Sequence, residues 1–217
     1  MPAAGQKALL VIDVQNDFLP GGALAAPGGD RIIPLVNALL DSPAFDVRVA
    51  SADWHPKGHI SFASTHGKAP GDTVHHCGIT QLLWPVHCVQ GSHGAELSSA
   101  LKVSGWDRLV RKGSERDADA SSPFRDLHGK DLGLAAYLLE RGVQEVYVCG
   151  LVTEVCVRAA ALDAAHERFA TYVVADASGA LEQHPGDEAR VHDELRDAGV
   201  AVVTTADVLQ RCQGKAR

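Results

Sequence analysis

The stretch Gln144-Glu145-Val146-Tyr147-Val148-Cys149-Gly150-Leu151-Val152-Thr153-Glu154-Val155-Cys156-Val157 changes its hydrophobic period halfway along. Residues 144–150 read as a buried strand. From about 154 to 166 the spacing of Val157, Ala160, Ala161 and Ala164 reads as a helix. A strand running directly into a helix is half of a βαβ unit. The same alternation extends outward from this stretch. Strands are expected at 7–13, 46–52, 108–111, 170–175 and 200–204, and amphipathic helices at 30–41, 131–141 and 186–198. The pattern predicts an α/β protein, one domain over residues 1–217, with a parallel β-sheet flanked by helices on both faces in a Rossmann-like three-layer arrangement. Ligands of such sheets bind at the carboxyl ends of the strands. Two segments break the alternation. Residues 14–29 are a Gly/Pro-rich loop, and residues 54–98 form a histidine-rich irregular insertion holding two of the three tryptophans. Long irregular insertions in small domains usually carry function.

Composition narrows the function classes. At 217 residues, 46% apolar and 22% charged, the chain suits one globular core. A formal charge of −7, with no Lys/Arg run longer than two, offers no field to attract nucleic acid or an anionic membrane. No apolar run reaches the ~18 residues that a membrane span needs. The apolar run Ala8-Leu9-Leu10-Val11-Ile12 ends in Asp13 and has no basic start or cleavage site, so it does not read as a secretion signal. Five cysteines (Cys77, Cys88, Cys149, Cys156 and Cys212) are an odd number in a chain too large to need staples. Free thiols in a reducing, cytoplasmic compartment are expected, most of them as small buried hydrophobes.

The chemistry-bearing residues fall where strands end. Thr153 reads as a helix N-cap, which puts Cys156 in the first turn, where unpaired N–H groups and the helix dipole would lower a thiol's pKa and could hold an oxyanion. Asp13 ends the first strand, placed to take a thiol proton and later deliver it to a leaving amine. Lys112 follows the third strand, where an ammonium between them would stabilise both anions. Asp53 and His55 point to the same side of an extended segment, and His87 would complete a carboxylate–imidazole set with open positions, as in a catalytic divalent metal site. His59 lies near enough for a fourth or outer contact, whereas Cys88 faces away and reads as packing. Phe18, Trp54 and Trp84 could clamp a flat ring. Taken singly, each of these residues also has an ordinary reading as core, turn or solvated surface.

Six segments in order carry a resemblance over roughly Lys7 to Leu209: residues 8–18, the loop Pro20-Gly21-Gly22-Ala23-Leu24, Ala52-Asp53-Trp54-His55-Pro56 with Gly58–Phe62, Leu83–Gln90 around Trp84-Pro85-Val86-His87-Cys88, Arg111-Lys112-Gly113, and Gly150–Val157. Together they resemble the nicotinamidase/pyrazinamidase branch of the isochorismatase-like cysteine hydrolases. The resemblance implies a catalytic triad of Asp13, Lys112 and Cys156, and metal ligands Asp53, His55 and His87. It further implies substrate walls at Phe18 and Trp84, a cis peptide between Leu151 and Val152, and an oxyanion hole from the Val152 and Cys156 amides. The implied cofactor is one divalent ion, zinc first, with iron or manganese as alternatives, that meets the ring nitrogen of the substrate. The implied reaction hydrolyses nicotinamide, and pyrazinamide, to the acid and ammonia through a thioester, within NAD salvage. The expected partner is a small aromatic amide, with no nucleic acid and no membrane, and a homo-oligomer stays open. Val152 and Val155 depart from the family pattern and could narrow the pocket, while Cys77 and Cys212 have no role in it. The alternatives are another hydrolase of the fold, acting on isochorismate, carbamoylsarcosine or ureidoacrylate, or a catalytically silent binding module. A dinucleotide site ranks last, because no Gly-x-Gly-x-x-Gly follows the first strand.

Overall fold

A computed structural model describes residues 5–102, 105–182 and 184–213, with side chains as far as Gln210; the ends of the expected domain and the Cys212 side chain lie outside the described residues. Strand β1 (Gln6–Ile12) occupies the middle of the molecule, and Ala8 to Val11 are wholly buried. Its side chains alternate between two cores. Ala8, Leu10 and Ile12 enter one, while Leu9 and Val11 enter the other. A continuous apolar run with no polar face is what a central parallel strand requires.

Around it lie β2 (Val47–Asp53), β5 (Arg108–Lys112), β6 (Val143–Leu151), β7 (Ala170–Gly179) and β8 (Ala201–Val203), in spatial order β5-β2-β1-β6-β7-β8. Every pairing in this sheet is parallel. The first core is closed by α2 (Leu134–Glu140), α3 (Arg158–His166) and α4 (Asp187–Asp197), and the second by α1 (Ile33–Leu40) and α5 (Thr205–Gln213). The expected three-layer α/β architecture is therefore the observed one.

Three features differ from the sequence reading. The first helix opens as a 3-10 turn over Gly29–Ile32 and becomes α-helical only at Ile33, with Pro34 in its first turn, where a missing N–H is harmless. The insertion at 54–98 is not wholly irregular, since β3 (Thr73–His76) and β4 (Ile79–Leu82) form an antiparallel hairpin inside it. Helix α5 was not foreseen, although its start carries a readable signal. The Asp207 amide donates to Thr204 Oγ1 at 3.2 Å while the Thr204 amide donates to Asp207 Oδ2 at 2.9 Å, a reciprocal cap. No helix among the described residues is long and apolar enough to cross a membrane.

The sheet reverses direction of winding between β1 and β6, and Gly150 sits at that seam. It pairs in register with Ile12 at φ +122°, beside a register shift between β6 and β7. A Cβ there would stand 2.1 Å from the Ile12 carbonyl oxygen. Only glycine allows that approach. Gly150→Ala is accordingly expected to lose about 3 kcal/mol or more, a fall of roughly 6–12 °C in melting temperature. A thermal melt within about 2 °C of wild type would show that the seam tolerates a side chain.

Candidate active site

The site is assembled at the carboxyl edge of the sheet. Strands β2 and β5 each run one residue further than expected, so Asp53 and Lys112 are their last residues and face each other in register. Asp13 lies just past β1 with φ +49°, a left-handed conformation that aspartate tolerates better than most residues. Its amide donates to the Ser51 carbonyl at 3.2 Å, and Ser51 Oγ donates to Asp13 Oδ1 at 2.7 Å. Gln15 ties the neighbouring strand end: its Oε1 accepts from the Asp53 amide at 2.8 Å, and its Nε2 donates to the Asp53 carbonyl at 2.8 Å and the Ala95 carbonyl at 2.9 Å. Two adjacent strand ends are thus fixed by one side-chain amide, so the carboxylates between them have little freedom to drift.

Lys112 is 1% exposed and directs its three N–H donors to Asp53 Oδ1 at 2.5 Å, the Ala120 carbonyl at 3.0 Å and Cys156 Sγ at 3.3 Å. Asp13 Oδ2 lies 2.9 Å from the same ammonium as an ion pair, yet no directed hydrogen bond reaches it. That oxygen is open to take a proton from the thiol, and Asp13, Asp53 and Cys156 offer heteroatoms within 4.8 Å of one another. Burial would lower the Lys112 pKa, but Asp13 and Asp53 outweigh it and hold the lysine charged. Asp53 goes the other way. Burial would raise it, yet Lys112, His55 and His87 keep it well below the usual carboxylate range. Asp13 is raised, because its complete burial outweighs Lys112.

Two expectations need correction here. Residues 153–157 form a π-helical turn whose N-cap is Val152, so Thr153 lies inside the turn and its buried hydroxyl has no hydrogen-bond partner. The Cys156 thiol is also shifted opposite to the direction expected from a helix terminus. Burial pushes it well above the ordinary value, and the carboxylates of Asp13 and Asp53 add to this against the pull of Lys112. The Leu151–Val152 peptide is cis.

Beside this cluster, His55 Nε2 and His87 Nε2 stand 3.7 and 3.9 Å from Asp53 Oδ2. Their other ring nitrogens are occupied: His55 Nδ1 donates to the Gly113 carbonyl at 2.9 Å and His87 Nδ1 to the Pro85 carbonyl at 2.8 Å. Carbonyl bonds of this kind fix the ring orientation and, in the neutral imidazoles, leave both Nε2 lone pairs facing Asp53, as metal-binding histidines require. Gly113 makes room for this, since a Cβ there would lie 2.5 Å from His55 Cε1 at φ +59°. His59 stacks on His55 with ring centroids 4.2 Å apart and shares a 2.7 Å hydrogen bond with Ser61 Oγ. Burial and the charge of His55 take its pKa down to about 4, so it is neutral near pH 7. Cys88 is buried in the second core, and its amide donates to Asp17 Oδ2 at 2.7 Å.

Above the cluster opens a pocket of about 380 Å³ of empty space, its mouth included, with Lys112, Cys156, Asp53, His55 and His87 in its walls. Phe18 and Trp84 also line it. Trp54 does not. It is half-buried with the Arg111 guanidinium 4.2 Å above its ring, and is no clamp for a ligand. Sequence reasoning missed Asp119, Ser61, Leu24 and Leu181 on the pocket wall. Asp119 is steered by Gln81, whose Nε2 donates to Asp119 Oδ2 at 2.8 Å from β4. It also forms with His55 and His59 a second, overlapping group of metal-capable atoms within 4.8 Å of one another. No periodicity marks Asp119, because its partners are distant in the chain. Gln15 was within reach of inspection, as a polar side chain leaving a wholly apolar strand must find partners.

Comparison with known proteins places this arrangement. The isochorismatase domain description matches residues 7–207. The nicotinamidase of Acinetobacter baylyi is 43% identical over 212 residues, 96% of this chain and 97% of that protein. The solved structure of the Acinetobacter baumanii nicotinamidase/pyrazinamidase superposes with a TM-score of 0.90 at 39% identity, covering 95% of this chain and 100% of that one. The Pyrococcus horikoshii pyrazinamidase in complex with zinc gives 0.75 at 38% identity, covering 92% and 99%.

The histidine geometry makes a prediction about metal. Burial would lower His55, but Asp53, Asp119 and the Gly113 carbonyl together raise its pKa above the usual 6.5. A proton on His55 excludes an ion from its Nε2, so metal retention should rise as pH rises through that value and be lost below it. Elemental analysis after dialysis at about pH 8 and about pH 5 reads this directly. His87→Ala should weaken divalent-ion binding at least about tenfold at the higher pH, and full metal content there would remove His87 from the ligand set.

Proposed function

The chain belongs to the isochorismatase-domain family, and from that premise we propose that it is a nicotinamidase, a cysteine amidohydrolase that converts nicotinamide to nicotinate and ammonia. Pyrazinamide, with the same carboxamide on a flat nitrogen-containing ring, is the expected second substrate. The observation that carries the reading is the buried Lys112 ammonium, hydrogen-bonded to Cys156 and ion-paired with Asp13 in the wall of an aromatic-lined pocket.

In this reading Asp13 Oδ2 takes the proton from Cys156 as the sulfur adds to the carboxamide carbon, while Lys112 stays charged and stabilises the developing thiolate. The backbone N–H groups of Val152 and Cys156 receive the oxyanion. Asp13 then gives its proton to the departing nitrogen, the C–N bond breaks, and ammonia leaves a thioester on Cys156. Water adds to the thioester carbon with Asp13 again accepting a proton. The C–S bond breaks, nicotinate is released, and the proton returns to the thiol. Phe18 and Trp84 hold the ring flat so that the carboxamide faces the sulfur.

Asp53, His55 and His87 suit a divalent ion: one carboxylate and two imidazoles converge, with the outer nitrogen of each imidazole fixed by a carbonyl. Zinc is the favoured ion, in keeping with the zinc-bound pyrazinamidase, and iron and manganese accept the same donors. When bound, it supplies a Lewis-acidic seat for the substrate's ring nitrogen. His59 acts from outside this set, by stacking on His55. We further assign the whole chain to a single hydrolase domain working in the cytoplasm, in NAD salvage. Free Cys77, Cys88, Cys149 and Cys156 suit a reducing compartment.

Cys156→Ala should reduce ammonia release from nicotinamide by at least about 10⁴-fold, while the dissociation constant for nicotinate stays within about threefold. Turnover near the wild-type rate in that variant would reject the mechanism.

A further inference from the structure

Glu154 precedes Cys156 by two residues in the same π-helical turn, yet its carboxylate takes no part in the cluster around Lys112. It reaches instead to the segment leaving β7. Oε1 accepts the Glu182 amide at 2.7 Å, and Oε2 accepts the Leu181 amide at 3.1 Å. Glu182 has φ +50°, the left-handed backbone that turns successive N–H groups toward one anion. Each oxygen of one carboxylate therefore holds one of two consecutive amides, in bonds strengthened by its charge. The consequence lies one side chain away. Leu181 packs against the second core and lines the pocket together with Val155 and Cys156.

We propose that Glu154 is a positioning residue: by holding the 181–182 backbone it fixes Leu181 as a wall of the pocket and so restricts the substrate to flat ring carboxamides without an added ring substituent. The proposal rests on the nicotinamidase reading for its substrate and on the two Glu154 bonds for its mechanism. Removing the carboxylate does not abandon a buried charge, because the freed amides can turn to water. The segment loosens, the leucine withdraws, and the pocket gains room for about a methyl group. One turn would then carry both the nucleophile and the anchor of the wall that selects its substrate.

The test compares wild type with Glu154→Ala, Glu154→Gln and Leu181→Ala. Kinetics are measured on nicotinamide, pyrazinamide and ring-methylated nicotinamides, with amide hydrogen exchange at residues 181 and 182 as a second readout. Leu181→Ala and Glu154→Ala should both raise kcat/KM for methylated rings relative to nicotinamide by about 10–100-fold, the discrimination a single methyl group allows. The loss on nicotinamide should fall more on KM than on kcat. Glu154→Ala, but not Leu181→Ala, should speed exchange at both amides. Glu154→Gln keeps the shape and one acceptor, and should lie between wild type and alanine in both readouts. Thermal melting identifies any variant that does not fold; if Glu154→Ala fails, Glu154→Gln and Leu181→Ala decide. An unchanged methyl/nicotinamide ratio in the folded variants overturns the proposal, as does unchanged exchange on loss of the carboxylate. A wild type inactive on every amide overturns the nicotinamidase reading and the ring limit with it, and the exchange result alone then decides whether Glu154 ties the segment.

Discussion

Nζ of Lys112 is wholly buried, gives its three N–H groups to Asp53, Ala120 and Cys156, and stands 2.9 Å from Asp13. Withdrawing an ammonium and two carboxylates from water costs several kcal/mol for each ion, and attraction repays this only where every donor and acceptor is placed. The arrangement meets that condition almost completely. Ser51 serves one oxygen of Asp13, and Gln15 holds the backbone on both sides of Asp53. Asp13 Oδ2, which receives no directed donor, is the oxygen the proposed chemistry needs. Such a cluster contributes little to net stability. Its value lies in holding a proton acceptor, a cation and a sulfur at fixed separations before any substrate arrives.

The sheet makes this possible through register. Asp53 and Lys112 end neighbouring strands and are paired across them, so the distance between the two groups is set by the ladder, not by flexible loops. Asp13 and Cys156 follow the two strands on either side of the winding reversal, β1 and β6, where the connections diverge and leave a crevice. Gly150 lets those strands close against each other at that point. Backbone geometry therefore does most of the positioning, and the side chains need only be of the right length.

Much of this was legible in the sequence for a physical reason: fully buried parallel strands have no polar face, so β1 and β6 stand out as apolar runs, and the groups ending them stand out by contrast. Helix α5 carries its signal only in the reciprocal Thr204–Asp207 cap, because so short a helix offers little periodicity. The hairpin β3–β4 was not legible, since most of its side chains are exposed or half-exposed and no alternation betrays it. Contacts made across chain distance were hidden as well. Asp119 reaches the site with the help of Gln81, and Trp54 leaves it for Arg111; neither partner could be inferred from local pattern. The Cys156 thiol failed for a related reason. The helix terminus is local and visible, whereas the burial that dominates the shift belongs to the folded site.

That reversal bears on why a carboxylate–imidazole set should adjoin the nucleophile. With the thiol protonated, two carboxylates against one ammonium leave the buried cluster with a surplus negative charge. Moving the thiol proton to Asp13 only relocates that charge onto sulfur, so Lys112, shared with Asp53, must serve the new anion as well. A divalent cation on Asp53, His55 and His87 would change the balance, because it neutralises Asp53 and turns the surroundings of Cys156 net positive. Lys112 would then be released from dividing its charge between two carboxylates at the moment the sulfur needs it. On this view an ion held there would also ease ionisation of the nucleophile, acting through the one carboxylate, Asp53, that touches the lysine and faces the histidines.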